Sequence, residues 1–265
     1  MAEETETERV TVVTGGTSGI GARLCKMIAA PGERIVVVGR GNRENADAVV
    51  AELESLGAKT LLIMKDLTLP HAGREVMTEA LDVCGHVERI VHLAAYADRT
   101  RFGELSEEQI DQSFSAQVKA FLGLVTVALP SLKEAGTRGR VVSAGSFLSD
   151  VFRLEDEGFP ATATTKAAVT AMTKSLANDL ASFGVTVNTV SPGYIQKDAG
   201  QCFPSSADMP PFHVPIAVLI TSDIGSFGIS RGGVRSHACP PSGFAAHTWY
   251  SPKEAASIDQ TKAPS

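Results

Sequence analysis

Cysteine, aromatic residues and positive charge are all scarce in this 265-residue chain. Its four cysteines, Cys25, Cys84, Cys202 and Cys239, form no CxxC pair, and the six histidines add no ligand spacing to them. Neither a disulfide framework nor a metal site is therefore expected. With 24 basic against 30 acidic residues the net charge is -6, so no field draws the chain to a phosphate backbone and nucleic acid is not an expected partner. No apolar run reaches the ~20 residues that a membrane-spanning helix requires, and the opening MAEETETER is acidic where a secretory signal is basic. A cytoplasmic protein without membrane attachment is the expectation. Tyrosine occurs only at Tyr96, Tyr194 and Tyr250, a scarcity that bears on the chemistry below.

From Val10 onward, short β-branched runs alternate with longer stretches of helical period: VTVV and a helix over 19–30, RIVVV and 42–57, TLLIM and 69–84. The series continues through ERIVHL, a helix from about Glu107 to Leu132, the strand RVVSA, a helix from about Ala161 to Phe183, and VTVNTV. Runs that are apolar throughout, instead of alternating, belong to strands covered on both faces of a parallel sheet. After Ile195 the pattern fails. Eight of the 13 prolines follow residue 199, in segments such as CFPSSADMPPFHVP and HACPPSGF. The expected organisation is a disordered N-terminus over 1–8, a core over 9–195 and an irregular substrate cap or lid over 196–235, with one short helix around Ile216 to Thr221. A weakly ordered tail over 236–265 completes it.

The stretch TVVTGGTSGIGAR follows the first strand and opens the first helix, with Gly15, Gly19 and Gly21 spaced TGxxxGxG. Glycine there lets the backbone turn tightly, approach a pyrophosphate and pack helix against strand, while the helix N-terminus supplies N–H groups and partial positive charge. The fold expected is thus a Rossmann-like, doubly wound parallel sheet of the α/β class, three layers in a single domain with an irregular C-terminal cap. At the end of the second strand, where a carboxylate would hold the free ribose hydroxyls of NAD, stand Gly39, Arg40, Gly41, Asn42 and Arg43. A guanidinium in place of an acid favours the 2′-phosphate of NADP. Asp66, ending the third strand at the same sheet edge, is placed to accept from the adenine amino group, although solvated loop aspartates are equally ordinary.

Together with DLT at 66–68, LAA at 93–95, GRVVSAGS at 139–146, TKAAV at 165–169 and VNTVSPGYI at 187–195, these features resemble the short-chain dehydrogenase/reductase family over residues 9–195. The resemblance implies hydride transfer between a nicotinamide and a carbonyl or alcohol carbon. It extends the cofactor contacts to Thr17, Ser18 and Ile20 of the glycine loop, Leu67, Ala94 and Ala95, Lys166, and Pro192, Gly193 and Ile195. It also implies a homodimer or homotetramer, formed by the helices over 107–132 and 161–183. Ser146 matches the serine that binds the substrate oxygen, and Lys166 the lysine that binds the nicotinamide ribose and lowers a tyrosine pKa.

Two further catalytic positions depart from the family pattern. The asparagine position falls on Gln117, and the tyrosine position, four residues before Lys166, on Thr162. A phenol titrates near ~10 and can be drawn toward neutrality. An alkanol resembles water at ~15.7, so threonine cannot be the usual proton donor. Tyr96 and Tyr194 are the alternatives near the pocket. A general acid contributes typically ~10²–10⁴ in rate, separately from the positioning of hydride donor and carbonyl, so turnover survives its loss if a bound water or an acidic hydroxyl of the substrate supplies the proton. That suits polyaromatic ketones. An NADPH-dependent ketoreductase with an unusual proton source is one reading; a non-catalytic NADP-binding protein is the other. The segment FLSDVFRLEDEGFPA, 147–161, is either a pocket mouth or a tolerated surface insertion.

Overall fold

The computed structural model describes residues 8–149 and 158–192, and the backbone of three later strands at 217–219, 226–230 and 233–237. Six parallel strands form the centre: β1 (Arg9–Thr14), β2 (Glu33–Gly39), β3 (Lys59–Met64), β4 (Arg89–His92), β5 (Arg140–Ala144) and β6 (Thr186–Ser191). The helices between them are α1 (Gly19–Ile28), α2 (Arg43–Ser55), α3 (Ala72–Cys84), α4 (Glu107–Phe114), α5 (Ala120–Ala135) and α6 (Pro160–Leu180). The spatial order β3-β2-β1-β4-β5-β6 reverses direction between β1 and β4, which opens a crevice beyond their C-terminal ends.

Side chains alternate across β1 and β2 and so divide the core. Val10, Val12, Val36 and Val38 face one layer with Met77, Phe121, Leu124 and Leu180, carried by α3, α5 and α6. Val13, Ile35 and Val37 face the other with Cys25, Val49 and Leu53 of α1 and α2. Both faces being covered explains why these strands read as unbroken apolar runs. On the first face α3 and α5 cross through two glycines. A Cβ on Gly73 would lie 2.2 Å from the Ala120 carbonyl oxygen, and one on Gly123 2.8 Å from the Arg74 nitrogen.

The helix expected over 107–132 is interrupted. A π-turn, Ser115–Lys119, joins α4 to α5, and a full capping box between Ser106 and Gln109 fixes the start of α4. By length and composition the whole stretch Glu107–Arg138 could cross a membrane, with mean hydropathy 1.4 in its most apolar window, half of which is buried. Its apolar side faces the sheet and α3, as in the core helix of a layered domain.

The C-terminal expectation also needs correction. The short helix around Ile216 to Thr221 is instead a strand, β7 (Ala217–Leu219), running antiparallel to β6 with Val190 opposite Val218. The physical reason lies at the sheet edge: β6 has unpaired backbone groups there, and an apolar run too short for a stable helix satisfies them. Two further strands, β8 (Ser226–Ser230) and β9 (Gly233–His237), pair antiparallel. Residues 1–7 and 238–265, like most of 193–225, lie outside the described residues.

Candidate functional site

The glycine loop forms at the C-terminal end of β1. Gly15 adopts φ 70°, and a Cβ there would sit 3.1 Å from the Ala94 nitrogen. Gly21 has no room at all, since its Cβ would fall 2.0 Å from the Gly15 carbonyl oxygen. Gly39, the last residue of β2, leaves the space that the Thr17 side chain fills, a Cβ meeting Thr17 Cγ2 at 2.4 Å. Ser18 makes no side-chain cap, and the first main-chain bond inside the helix is Ala22 N–H to Ser18 O at 3.1 Å. The preceding N–H donors of exposed Gly19 and Ile20, with that of Gly21, are therefore left for an anion. Those residues fit a pyrophosphate.

Arg40, Asp66 and Tyr96 come together beyond the C-terminal ends of β2, β3 and β4. The Arg40 guanidinium is 62% exposed and reaches Asp66 only at 3.9 Å, whereas Arg43 is taken by Asp47 at 2.9 Å. Thr68 donates its N–H and O–H to Asp66 Oδ1 at 2.9 and 2.8 Å. Burial raises the Asp66 carboxyl, but these two bonds and the Arg40 charge outweigh it and hold the group below its ordinary range. Leu67 is buried beside it. The Tyr96 hydroxyl is buried with no partner among the described residues. Burial raises its phenol, Asp98 and Asp66 add to the rise, and Arg40 opposes it. That shift runs against easy release of the phenolic proton. Ala94 and Ala95 continue directly from β4, and Pro192 follows β6, whereas Gly193, Tyr194 and Ile195 lie outside the described residues.

Around the end of β5 the expected catalytic residues are brought together unequally. Lys166 is buried and donates to the Ala144 carbonyl at 2.8 Å. Burial pushes its ammonium down to about 8. Ser146 lies two residues beyond Ala144, and its Oγ accepts the Leu148 N–H at 3.2 Å, which leaves its own proton for another acceptor. Thr162 shares a face of α6 with Lys166, one turn earlier, but its Oγ1 accepts the Asp98 N–H at 2.9 Å. The hydroxyl thus ties α6 to the segment after β4. Asp98 itself accepts from the Thr100 N–H at 2.8 Å and from Gln109 at 3.3 Å.

Gln117 sits in the π-turn, fully buried, and its amide donates to Ser113 and Thr165 at 3.0 Å each. Its side chain joins α4 to α6, and its Oε1 is buried with no partner among the described residues. Its main-chain carbonyl is occupied, by His92, which sequence reasoning passed over. His92 Nε2 donates to Gln117 O at 3.0 Å, and because a carbonyl only accepts, Nδ1 is the unprotonated nitrogen that receives the Thr14 hydroxyl at 2.9 Å. Thr14 Oγ1 in turn accepts the N–H groups of Leu93 and Ala94, both at 3.2 Å. Burial first, then the Lys166 charge, pushes His92 down to about 3 despite the Gln117 bond. The one signal for it in the sequence is a titratable residue inside the apolar run RIVHL.

Comparison with known proteins sets this geometry in context. The profile described as short chain dehydrogenase matches residues 9–205. A 2,5-dichloro-2,5-cyclohexadiene-1,4-diol dehydrogenase of Sphingobium indicum is 31% identical over 204 residues, covering 77% of each chain. An uncharacterized oxidoreductase of Methylorubrum extorquens is 30% identical over 187 residues, 71% of this chain and 73% of its own. Among solved structures, a short chain dehydrogenase from Burkholderia cenocepacia in complex with NADP superposes with a TM-score of 0.69 at 33% identity, covering 76% of this chain and 80% of that one.

Proposed function

The chain belongs to the short-chain dehydrogenase family, and from that membership we propose that it is an NADPH-dependent ketoreductase with an atypical proton donor. The observation that carries the reading is the placement of Lys166 and Ser146. A buried ammonium anchored on Ala144, the last residue of β5, and a hydroxyl two residues further on with its proton free both lie at the sheet edge that carries the glycine loop. NADP is supported by Arg40, which is exposed and loosely paired, and by the Burkholderia relative in complex with NADP. When bound, NADPH supplies the hydride. The glycine loop and the start of α1 hold its pyrophosphate, Arg40 its 2′-phosphate, and Lys166 its nicotinamide ribose, while Ser146 donates to the carbonyl oxygen.

The ketone proposed is that of an aromatic polyketide, in antibiotic biosynthesis. A reductase of this family with threonine at the tyrosine position and an unusual C-terminal segment resembles the angucyclinone ketoreductase of simocyclinone biosynthesis. Residues 196–235 would cap the substrate, and the exposed small residues Ala167, Ala171 and Ser175 of α6, with Leu122 of α5, suit a homodimer or homotetramer. A second reading, a non-catalytic NADP-binding protein, is favoured by the engagement of Thr162 with Asp98. Incubation with NADPH and a panel of hydroxylated aromatic ketones, followed at the reduced nicotinamide absorbance, separates them. Consumption supports the reductase. Binding of NADPH by calorimetry without consumption of it supports the second reading.

A further inference from the structure

Beyond β1 and β4 the chain leaves the two strands in opposite directions, and the crevice lies between the diverging segments. From β1 it passes into α1, which packs with α2 on one face of the sheet; from β4 it runs on toward α5, which packs on the other. The register of the two strands ends at Thr14 opposite His92. The next two amides, of Leu93 and Ala94, both reach back to Thr14 Oγ1 at 3.2 Å, and the Leu93 N–H also meets the Thr14 carbonyl at 3.2 Å. These bonds hold Ala94 against the glycine loop, where a Cβ on Gly15 would sit 3.1 Å from the Ala94 nitrogen.

A hydroxyl oxygen carries one proton and two lone pairs. With both lone pairs of Thr14 given to amides, its proton goes to a third group, and His92 Nδ1 takes it at 2.9 Å. That requires one tautomer of the ring, which the Gln117 carbonyl selects by accepting Nε2–H at 3.0 Å. The ring itself is 2% exposed and tilted against Phe121, with centroids 5.5 Å apart and 33° between the planes. Burial and the Lys166 charge keep it unprotonated, as an acceptor has to be. Its anchor is firm as well, because the Gln117 side chain goes on to Ser113 of α4 and Thr165 of α6, both at 3.0 Å.

Resting on the reading of NADPH as cofactor, we propose that His92 is a positioning residue for the dinucleotide: through Thr14 it sets the gap between the glycine loop and Ala94, and the π-turn holds it in place. Both ring nitrogens are engaged within the protein, so the histidine acts without touching the ligand. A pyrophosphate at the start of α1 lies beside this gap. An apolar residue at 92 leaves the Thr14 proton and the Gln117 carbonyl without their partners. The hydroxyl then turns to donate elsewhere, its hold on the Leu93 and Ala94 amides weakens, and the cradle loosens although every group that would meet the cofactor is still present.

The test is NADPH binding by calorimetry on the full chain at neutral pH, beside the melting temperature of each variant. His92→Leu keeps an apolar body against Phe121 but makes neither bond, and its Kd should rise about tenfold. Thr14→Val, which removes the hydroxyl alone, should give a similar loss, and the double variant should be no weaker than either single one, as members of one unit behave. His92→Gln offers both a donor and an acceptor and should recover most of the affinity. A histidine of merely structural use would lower the melting temperature and leave the Kd of the folded variants unchanged; that result, or additive losses in the double variant, would overturn the proposal. If His92→Leu does not fold, nitrogen-15 NMR of the wild-type imidazole decides. The proposal requires Nε2–H with a bare Nδ1 and ring resonances that move on adding NADPH, and an Nδ1–H tautomer or unmoved resonances would overturn it. Wild-type protein that binds no NADPH would overturn the cofactor reading itself, whereas wild-type binding matched by both His92 variants would overturn the histidine's role alone.

Discussion

At the residue scale, Thr162 and Arg40 divide stability from cofactor choice. The Thr162 hydroxyl satisfies a buried N–H, so Thr162→Val should cost about 1–3 kcal/mol in urea denaturation. Turnover at saturating substrate should stay within a few-fold of the parent, because proton donation is not its task. A loss comparable to removal of a general acid, about 10²-fold or more, would make threonine a direct participant. Arg40 has little to lose in the protein itself, being exposed and 3.9 Å from Asp66. Arg40→Ala should therefore leave the melting temperature unchanged while weakening NADPH far more than NADH in calorimetry. Equal weakening of the two cofactors would remove the 2′-phosphate from its role. Arg40 was visible in the sequence as a basic residue where an acid is needed for NAD. His92 was not, because a lone histidine in an apolar strand says nothing of what its two nitrogens meet across 78 residues and 25 residues of chain.

At the scale of elements, the strands and most helices were legible because β-branched runs and helical period are local properties of the chain. The π-turn was not: Ser115–Lys119 keeps residue types that any helix tolerates, and the extra residue in the turn is stabilised by packing against β4 and α6. The run around Ile216 misled for a related reason. Short apolar segments suit a helix or a strand equally until a sheet edge selects one. The α3–α5 crossing is likewise tertiary information, since neither Gly73 nor Gly123 shows in the sequence which backbone it meets. Gly73→Ala would force α3 off the Ala120 carbonyl, so a loss of about 1–3 kcal/mol is expected by chemical denaturation. An unchanged midpoint would mean that the two helices separate freely.

For the whole molecule, the network of His92, Thr14 and Gln117 joins the glycine loop, β4 and the π-turn, and it makes stability depend on acidity. His92 titrates near 3 when folded against 6.5 as an ordinary imidazole, so the unfolded chain binds the extra proton between those values. Stability is then complete above about pH 6.5 and is lost as pH falls, at about 1.4 kcal/mol per unit inside the window. Denaturation at pH 5 should give a value about 2 kcal/mol below that at pH 7, before carboxylates near ~4 begin to titrate. His92→Gln should flatten this slope, and an equal slope in that variant would place the acid sensitivity elsewhere. The strand β7 has a different kind of consequence. By pairing with Thr189–Ser191 it closes a flank of the sheet that would otherwise present bare amides and carbonyls to a second molecule. A chain shortened before Ala217 would be sticky along that flank, so the three residues of β7 guard it against aggregation.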